Sequence, residues 1–355
     1  MDAGPPSRAR RRMRSPIPLA LLLAAAVGIA GATGVLRAAD ARTADVERIE
    51  GLDLVLTEVA EDGPSVNYLL VGSDSREGID SDADDFDAIG TTADVGGQRA
   101  DTIMVLRRDE DGGVALTSIP RDLHVQFAGG GRSGRINGAY NEGADRLAAT
   151  VTEALGIPIH HYVEVDFVGF KEIIDAVGGV DLCVEHVTRD RASGLYLEPG
   201  CQTLDGTMAL AFARSRQYQE FRDGDWRTDG TADLGRIRRQ QLFMRAAING
   251  AIVEWRSSPF SSSRLIDAVT ASVRMDPAVN PIRAADSLRR AAEEDLVTYV
   301  LPVRPVTIGG AAVLELEPAA EEILDYFRGV GPAPPPTEGG EQHDDGTAAP
   351  GQTAD

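Results

Sequence analysis

The chain has 355 residues, 43% hydrophobic and 26% charged, the balance of an ordinary globular protein, and its formal net charge is −21. That charge excludes bulk nucleic-acid binding, which needs a basic face. The length allows one large domain or two small ones. Lys171 is the only lysine, so the choice of arginine over lysine carries little information and the position of each arginine carries more.

Arg8, Arg10, Arg11, Arg12 and Arg14 precede a charge-free run from Ser15 to Leu36. About 20 apolar residues cross a bilayer core. The reading is a cytoplasmic segment over 1–15 and a transmembrane helix over 16–36, with the arginines held inside. The rest of the chain is then extracytoplasmic, in a single-pass protein of the cell membrane. The alternative is a cleaved signal peptide, with Ala30, Gly31 and Ala32 near the cut.

A linker over 37–64 holds one candidate strand, "LDLVL", before the body at 65–328. "VNYLLVG" reads as a buried strand stopped by Gly72. "DTIMVLRR" and "GVALTSI" flank "DEDGG" and read as a hairpin. Residues 142–155 put Ala144, Leu147, Ala148, Val151 and Leu155 on one helical face. "HYVEV" is a strand that His160 and His161 enter. A short helix then carries Phe170, Ile173, Ile174 and Val177, ended by Gly178 and Gly179. "VDLCVEHV" and "LVTYVLPV" are further strands, residues 234–255 a helix, and a last helix lies near 317–328. Alternating strands and helices imply a layered α/β fold. The proline- and glycine-rich tail over 329–355 is expected to be disordered. Cys183 and Cys201, in an oxidising compartment, read as a disulfide, against the alternative of two buried thiols.

Familiar signatures fail. "GGGRSG" at 129–134 matches a dinucleotide loop literally, but it follows a hairpin, and Asn137-Gly138 interrupts the helix that should come next. "DSDADD" at 80–85 has Asp85 where a calcium loop needs glycine. Residues 77–98, with seven acids and no base, read as a solvated insertion.

Four stretches remain. "GSDSRE", "RADT" and "SIPRDL" sit at strand ends, where α/β folds place ligands. The fourth is the arginine-rich span from "FARSR" to "GRIRRQQ". An extended backbone over 212–216 puts Arg214 and Arg216 on one face. A helix puts Arg236 beside Gln240. Guanidiniums gathered in this way match the oxygens of a phosphate. The alternative is surface pairing with Asp223, Asp225 or Asp233.

Together "NYLLVGSDSRE", "RADTIMVL", "ALTSIPRDLHV", "RINGAYNEGA", "HHYVEVDFVGFKEIIDAVGGVDLCV", "LDGTMALAFARSR" and "DLGRIRRQQLFM" resemble the LytR–CpsA–Psr family of bacterial cell-wall ligases. The resemblance implies one α/β domain with a mixed sheet between helical layers. It implies an Mg²⁺-dependent phosphotransferase anchored in the cytoplasmic membrane. Such an enzyme moves a glycan phosphate from a polyprenyl-pyrophosphate carrier to a peptidoglycan hydroxyl. Asp74 and Asp101 then match the magnesium acids. Arg121, Arg214, Arg216 and Arg236 match the phosphate-binding arginines, with Gln240 a phosphate-side amide and Arg99 a further site residue. Arg121 and Asp101 carry the catalytic roles, Asp101 also as the candidate base. Two departures, the insertions at 77–98 and 217–232, read as extended loops at the entrance. A non-catalytic polyprenyl-phosphate binder and a transcriptional attenuator remain as alternatives. The polymer stays open among arabinogalactan, teichoic acid and capsule.

Overall fold

The computed structural model describes residues 46–58, 65–73, 100–215, 217–228, 271–279 and 296–335. Among them no helix is long and apolar enough to cross a membrane, and the expected span at 16–36 lies outside them. So do the insertion at 77–98 and the expected helix at 234–255.

The centre is a seven-stranded mixed sheet. It contains β1 (Glu47–Arg48), β2 (Val66–Ser73), β3 (Ala100–Arg108), β4 (Val114–Ser118), β7 (His161–Val165), β14 (Val273–Met275) and β15 (Val297–Val300), in the order β1-β14-β7-β2-β3-β4-β15. β2, β3 and β4 form an antiparallel meander, and Tyr68 to Gly72 of β2 pair in parallel with His161 to Val165 of β7. β2 is buried along its whole length, which is why its apolar residues run without alternation.

Helices cover both faces. On one, α2 (Phe167–Ala176) and α3 (Gly206–Arg214) bury Phe167, Phe170, Ile173, Leu210 and Phe212 against Leu70, Met104 and Leu116. On the other, α1 (Ala144–Leu155), a 3-10 turn over Ile136–Glu142 and α4 (Ala320–Arg328) bury Leu147, Val151 and Phe327 against Leu69, Val71 and Val105. Asp166 and Asp205 cap α2 and α3, accepting from the Gly169 and Met208 N–H groups. α2 ends where Gly178 and Gly179 take positive φ.

Three sequence expectations are corrected. "LDLVL" is no strand: left-handed Gly51 turns the chain into a 3-10 helix over Leu52–Leu54, and the early strand is β1. "FARSR" is not extended up to Arg214. The Asp205 cap and the run "GTMALAFAR" favour a helix, and Arg214 is its last residue, where its charge suits the helix C-terminus. "LVTYVLPV" divides at Leu301-Pro302 between β15 and β16 (Val303–Ile308), which pairs with β17 (Ala311–Leu316). The body also runs past 328, since the Tyr299 hydroxyl donates to the Pro334 carbonyl at 2.9 Å. "GGGRSG" is the turn between β5 (His124–Gln126) and β6 (Ser133–Arg135), with Gly129, Gly130 and Gly131 at positive φ.

β8 (Val180–Val184) pairs with β11 (Gly200–Leu204), and Cys183 and Cys201, direct partners in that ladder, form the disulfide. Closing a loop of 18 residues stabilises the fold by about 3 kcal/mol in the chain-entropy model.

At the far end of β2 the Asn67 N–H donates to His160 Nδ1 at 2.8 Å. Burial, with the nearby His161 and Arg107 charges, lowers this imidazole from 6.5 to about 4. Its folded value lies below its unfolded one. The stability it contributes is therefore complete above about pH 6.5 and lost as pH falls toward 4. His160→Asn keeps an acceptor but does not titrate. Its melting temperature should fall less than the parent's between pH 6.5 and pH 4. Parallel curves would clear His160 of this role.

Candidate active site

One end of the central sheet gathers Ser73, Ala100 and Ser118, which lie in three of the stretches singled out by sequence. β2 reaches it at Ser73, whose partner across the ladder is Ala100 at the start of β3. Asp101 is the second residue of β3, after Ala100, and Asp74 comes next after Ser73 in the sequence. β4 leaves the sheet there at Ser118, opposite Met104, and Arg121 lies three residues on. β7 ends there at Val165, opposite Gly72, and Phe167 opens α2. The Arg214 guanidinium carbon lies 5.3 Å from the Phe167 ring centroid, which brings the end of α3 to the same edge.

Arg214 is 6% exposed. A guanidinium this buried is tolerated only with partners, and an aromatic face is one of them. Arg121 is also largely covered. Its Nε lies 3.6 Å from Asp122 Oδ2, and its carbonyl accepts from the Asn137 N–H at 3.2 Å. That bond ties the "SIPRD" and "RINGAY" segments together. Of Asp101 only the backbone, in β3, is described. Asp74, Arg99, Arg216, Arg236 and Gln240 lie outside the described residues.

Residues not anticipated from sequence buttress this edge. Glu164, buried in β7, accepts from the Tyr140 hydroxyl at 2.6 Å, the Tyr162 hydroxyl at 2.7 Å and Arg274 at 3.0 Å. Burial first, and then the Glu164 charge, push both phenols well above their ordinary range, so they stay protonated and donate. Tyr140 also lies against Ser73, the residue before Asp74. The signal for Glu164 was visible as a lone carboxylate inside the buried strand "HYVEV". Arg274 carried none. Asp166, the α2 cap at this same end, has its carboxyl raised by burial.

The Thr102 and Ser118 hydroxyls are buried here and make no hydrogen bond among the described residues. Buried hydroxyls of this kind ask for a polar ligand. The residue types of the two acidic motifs, carboxylates and hydroxyls in "GSDSRE" and "RADT", are those that suit a hard oxygen-loving cation such as magnesium. Among the described residues no cluster of three or more metal-ligating side chains occurs.

A seven-stranded mixed sheet between helical layers defines a layered α/β protein. The LytR_cpsA_psr family model matches residues 34–326, and the chain belongs to this LytR–CpsA–Psr family. It is 38% identical over 277 residues to the probable cell wall biosynthesis protein LcpB of Corynebacterium glutamicum, covering 77% of this chain and 63% of that protein. It is 39% identical over 152 residues to the polyisoprenyl-teichoic acid–peptidoglycan teichoic acid transferase TagU of Bacillus mycoides, covering 42% of this chain and 46% of that one. Among solved structures, the LytR-Csp2A-Psr enzyme from Actinomyces oris matches with a TM-score of 0.60 at 27% identity, over 79% of this chain and 95% of that one. The chain thus spans less than two thirds of the length of these two curated relatives.

Proposed function

We propose that this protein is a phosphotransferase that attaches a secondary wall polymer to peptidoglycan. The observation that carries the reading is the meeting of four strand ends and the Arg214 helix at one edge, in a chain of this family. A peptidoglycan hydroxyl attacks the phosphorus that bears the glycan. The pyrophosphate P–O bond breaks and polyprenyl phosphate leaves. Arg121, Arg214 and Arg216, with Arg99, Arg236 and Gln240, hold the pyrophosphate, and Arg121 faces the charge that grows on the leaving phosphate. Fixed cations aimed at that charge are the main source of catalysis in phosphoryl transfer. Asp74 and Asp101 would hold Mg²⁺, which when bound neutralises pyrophosphate charge.

The path of the chain supports a lipid-linked donor. β1 runs parallel to β14, and Val273 of β14 lies opposite Val165, so β1 begins at the site end of the sheet. A span that closes at Leu36 would lie ten residues before Val46, a reach of at most about 33–36 Å, which supports a site close to the membrane that carries the polyprenyl chain.

The test is transfer by the purified full chain. With a polyprenyl-pyrophosphate glycan, peptidoglycan and Mg²⁺, release of polyprenyl phosphate should accompany glycan incorporation into the wall. Tight donor binding without release would make the protein a carrier-binding protein instead.

A further inference from the structure

The insertion read as an extended loop over 217–232 forms a hairpin over Gln219–Thr228. β12 (Gln219–Arg222) pairs with β13 (Asp225–Thr228), and β12 also pairs with β9 (Thr188–Asp190), which pairs with β10 (Leu195–Leu197). The result is a four-stranded sheet, β10-β9-β12-β13. Leu195 and Leu197 point into the core beside α3. Tyr196, Arg189, Gln219, Phe221, Trp226 and Thr228 occupy the outer face, as period-two alternation and the register require. Tyr196 is 52% and Phe221 41% exposed.

This face is built, not incidental. The Arg189 guanidinium carbon sits 3.6 Å from the Trp226 ring centroid, and Phe221 packs on the same indole at 5.3 Å. Arg189 Nε donates to Gln219 Oε1 at 3.0 Å, and Gln219 Nε2 donates to Thr228 Oγ1 at 3.1 Å. A side-chain ladder therefore crosses three strands and fixes the aromatic rings. The sheet is also locked to the candidate active site. Asp190, buried at the end of β9, accepts from the Ser215 hydroxyl at 2.9 Å and the Gln217 N–H at 2.7 Å. Those residues follow Arg214 directly. Gln219 is five residues from Arg214, so the face begins within about 17 Å of that arginine along the chain.

We propose that this aromatic face binds the neutral sugar chain of the polymer, a proposal that rests on the phosphotransferase reading and adds a glycan subsite to it. A sugar ring offers an apolar C–H face, which suits the electron-rich face of an aromatic ring, and hydroxyls, which suit an amide and guanidinium ladder. Four strands give a surface about 14 Å across, room for several sugar rings in a row. Membrane docking fits less well. Recruitment to anionic lipid needs a cluster of basic residues. Arg189 on the outer face is already engaged with Trp226 and Gln219, only Arg191 among the described residues adds its charge to it, and Glu198 lies beside Tyr196, accepting from its hydroxyl at 3.0 Å. Prefixed rings lose little freedom on binding, so the face is ready for a flexible polymer.

The experiment uses the full chain in detergent and arabinogalactan-derived oligosaccharides carrying neither lipid nor phosphate, with binding read by calorimetry. Tyr196→Ala and Phe221→Ala remove exposed rings and spare the core. Each should weaken binding about tenfold, and the double variant more, while Arg222→Ala, on the opposite face, leaves it unchanged. Glycan binding that falls in the ring variants and not in Arg222→Ala supports the subsite even if the transfer assay fails. Absence of oligosaccharide binding by the parent overturns it. So does equal binding by parent and ring variants, or a ring-dependent loss seen only with phosphatidylglycerol vesicles.

Discussion

Asp101→Asn should lower transfer by about 10²-fold or more while leaving the fold intact, the scale seen when one preorganised electrostatic group is removed from a reacting site. The substitution keeps the shape and removes a charge. Asp101 is the second residue of β3, next to Ala100, which pairs with Ser73 across the ladder. Magnesium is ordinarily held by one or two carboxylates together with phosphate oxygens and water. The ion is then expected to bind weakly to the protein alone and tightly with pyrophosphate present. Mg²⁺ with pyrophosphate should raise the melting temperature of the parent, because a ligand at 100 times its Kd stabilises by about 2.7 kcal/mol. Asp101→Asn should lose that rise. A chelator should reproduce the loss of activity in the parent and add little in the variant. Full, chelator-sensitive activity in Asp101→Asn would remove this residue from the site.

Much of the fold is legible in the residues because local and tertiary preferences agree. The hairpin around "DEDGG" closes as read, the Asp109 N–H donating to the Gly113 carbonyl. The apolar stripe of α1 is the stripe that packs on the sheet. The misreadings have a common cause. In "LDLVL" and "FARSR", alternation was inferred from a few residues, and a few residues fit a helix equally well. The signals that decide both lie upstream: Gly51 before the first, and Asp205 as an N-cap nine residues before Arg214. The meaning of "217–232" was also beyond local pattern. The hairpin is a strand partner of β9, and Thr188 to Asp190 sit some thirty residues away in sequence.

The site is legible in part for a different reason. Strand-end motifs mark positions, and the topology then brings those positions to one edge. What sequence leaves hidden is the support underneath. Glu164 is held by residues 24 positions before it and 110 after it, a relation with no local period. A buried carboxylate must be fully hydrogen-bonded. Tyr140, Tyr162 and Arg274 meet that demand, and Tyr140 in turn braces Ser73 beside Asp74. The rigidity of the proposed metal edge is thus traced to the opposite face of the sheet from Arg214.

Arg214→Ala and Arg216→Ala should each weaken binding of a polyprenyl-pyrophosphate substrate by ten- to a hundredfold, since one charge-assisted contact is worth about 1.5–3 kcal/mol. The helical placement of Arg214 sharpens the test. Its side chain lies over Phe167 and its charge suits the end of α3, so Ala also removes packing and a helix-end interaction worth about 0.3–1 kcal/mol. Melting temperature measures that part separately. Arg214→Met restores the packing volume without the charge and should recover stability but not substrate affinity. Arg222 and Arg227 are the controls. They lie in the hairpin, where Arg222 pairs with Glu220 and Arg227 with Asp223 at 2.7 Å. Exposed pairs of this kind contribute little, and their removal should leave affinity within about twofold of the parent. If all four alanine substitutions behaved alike, Arg214 and Arg216 would have no special part in substrate binding, and the proposed site would lose its anion-binding half.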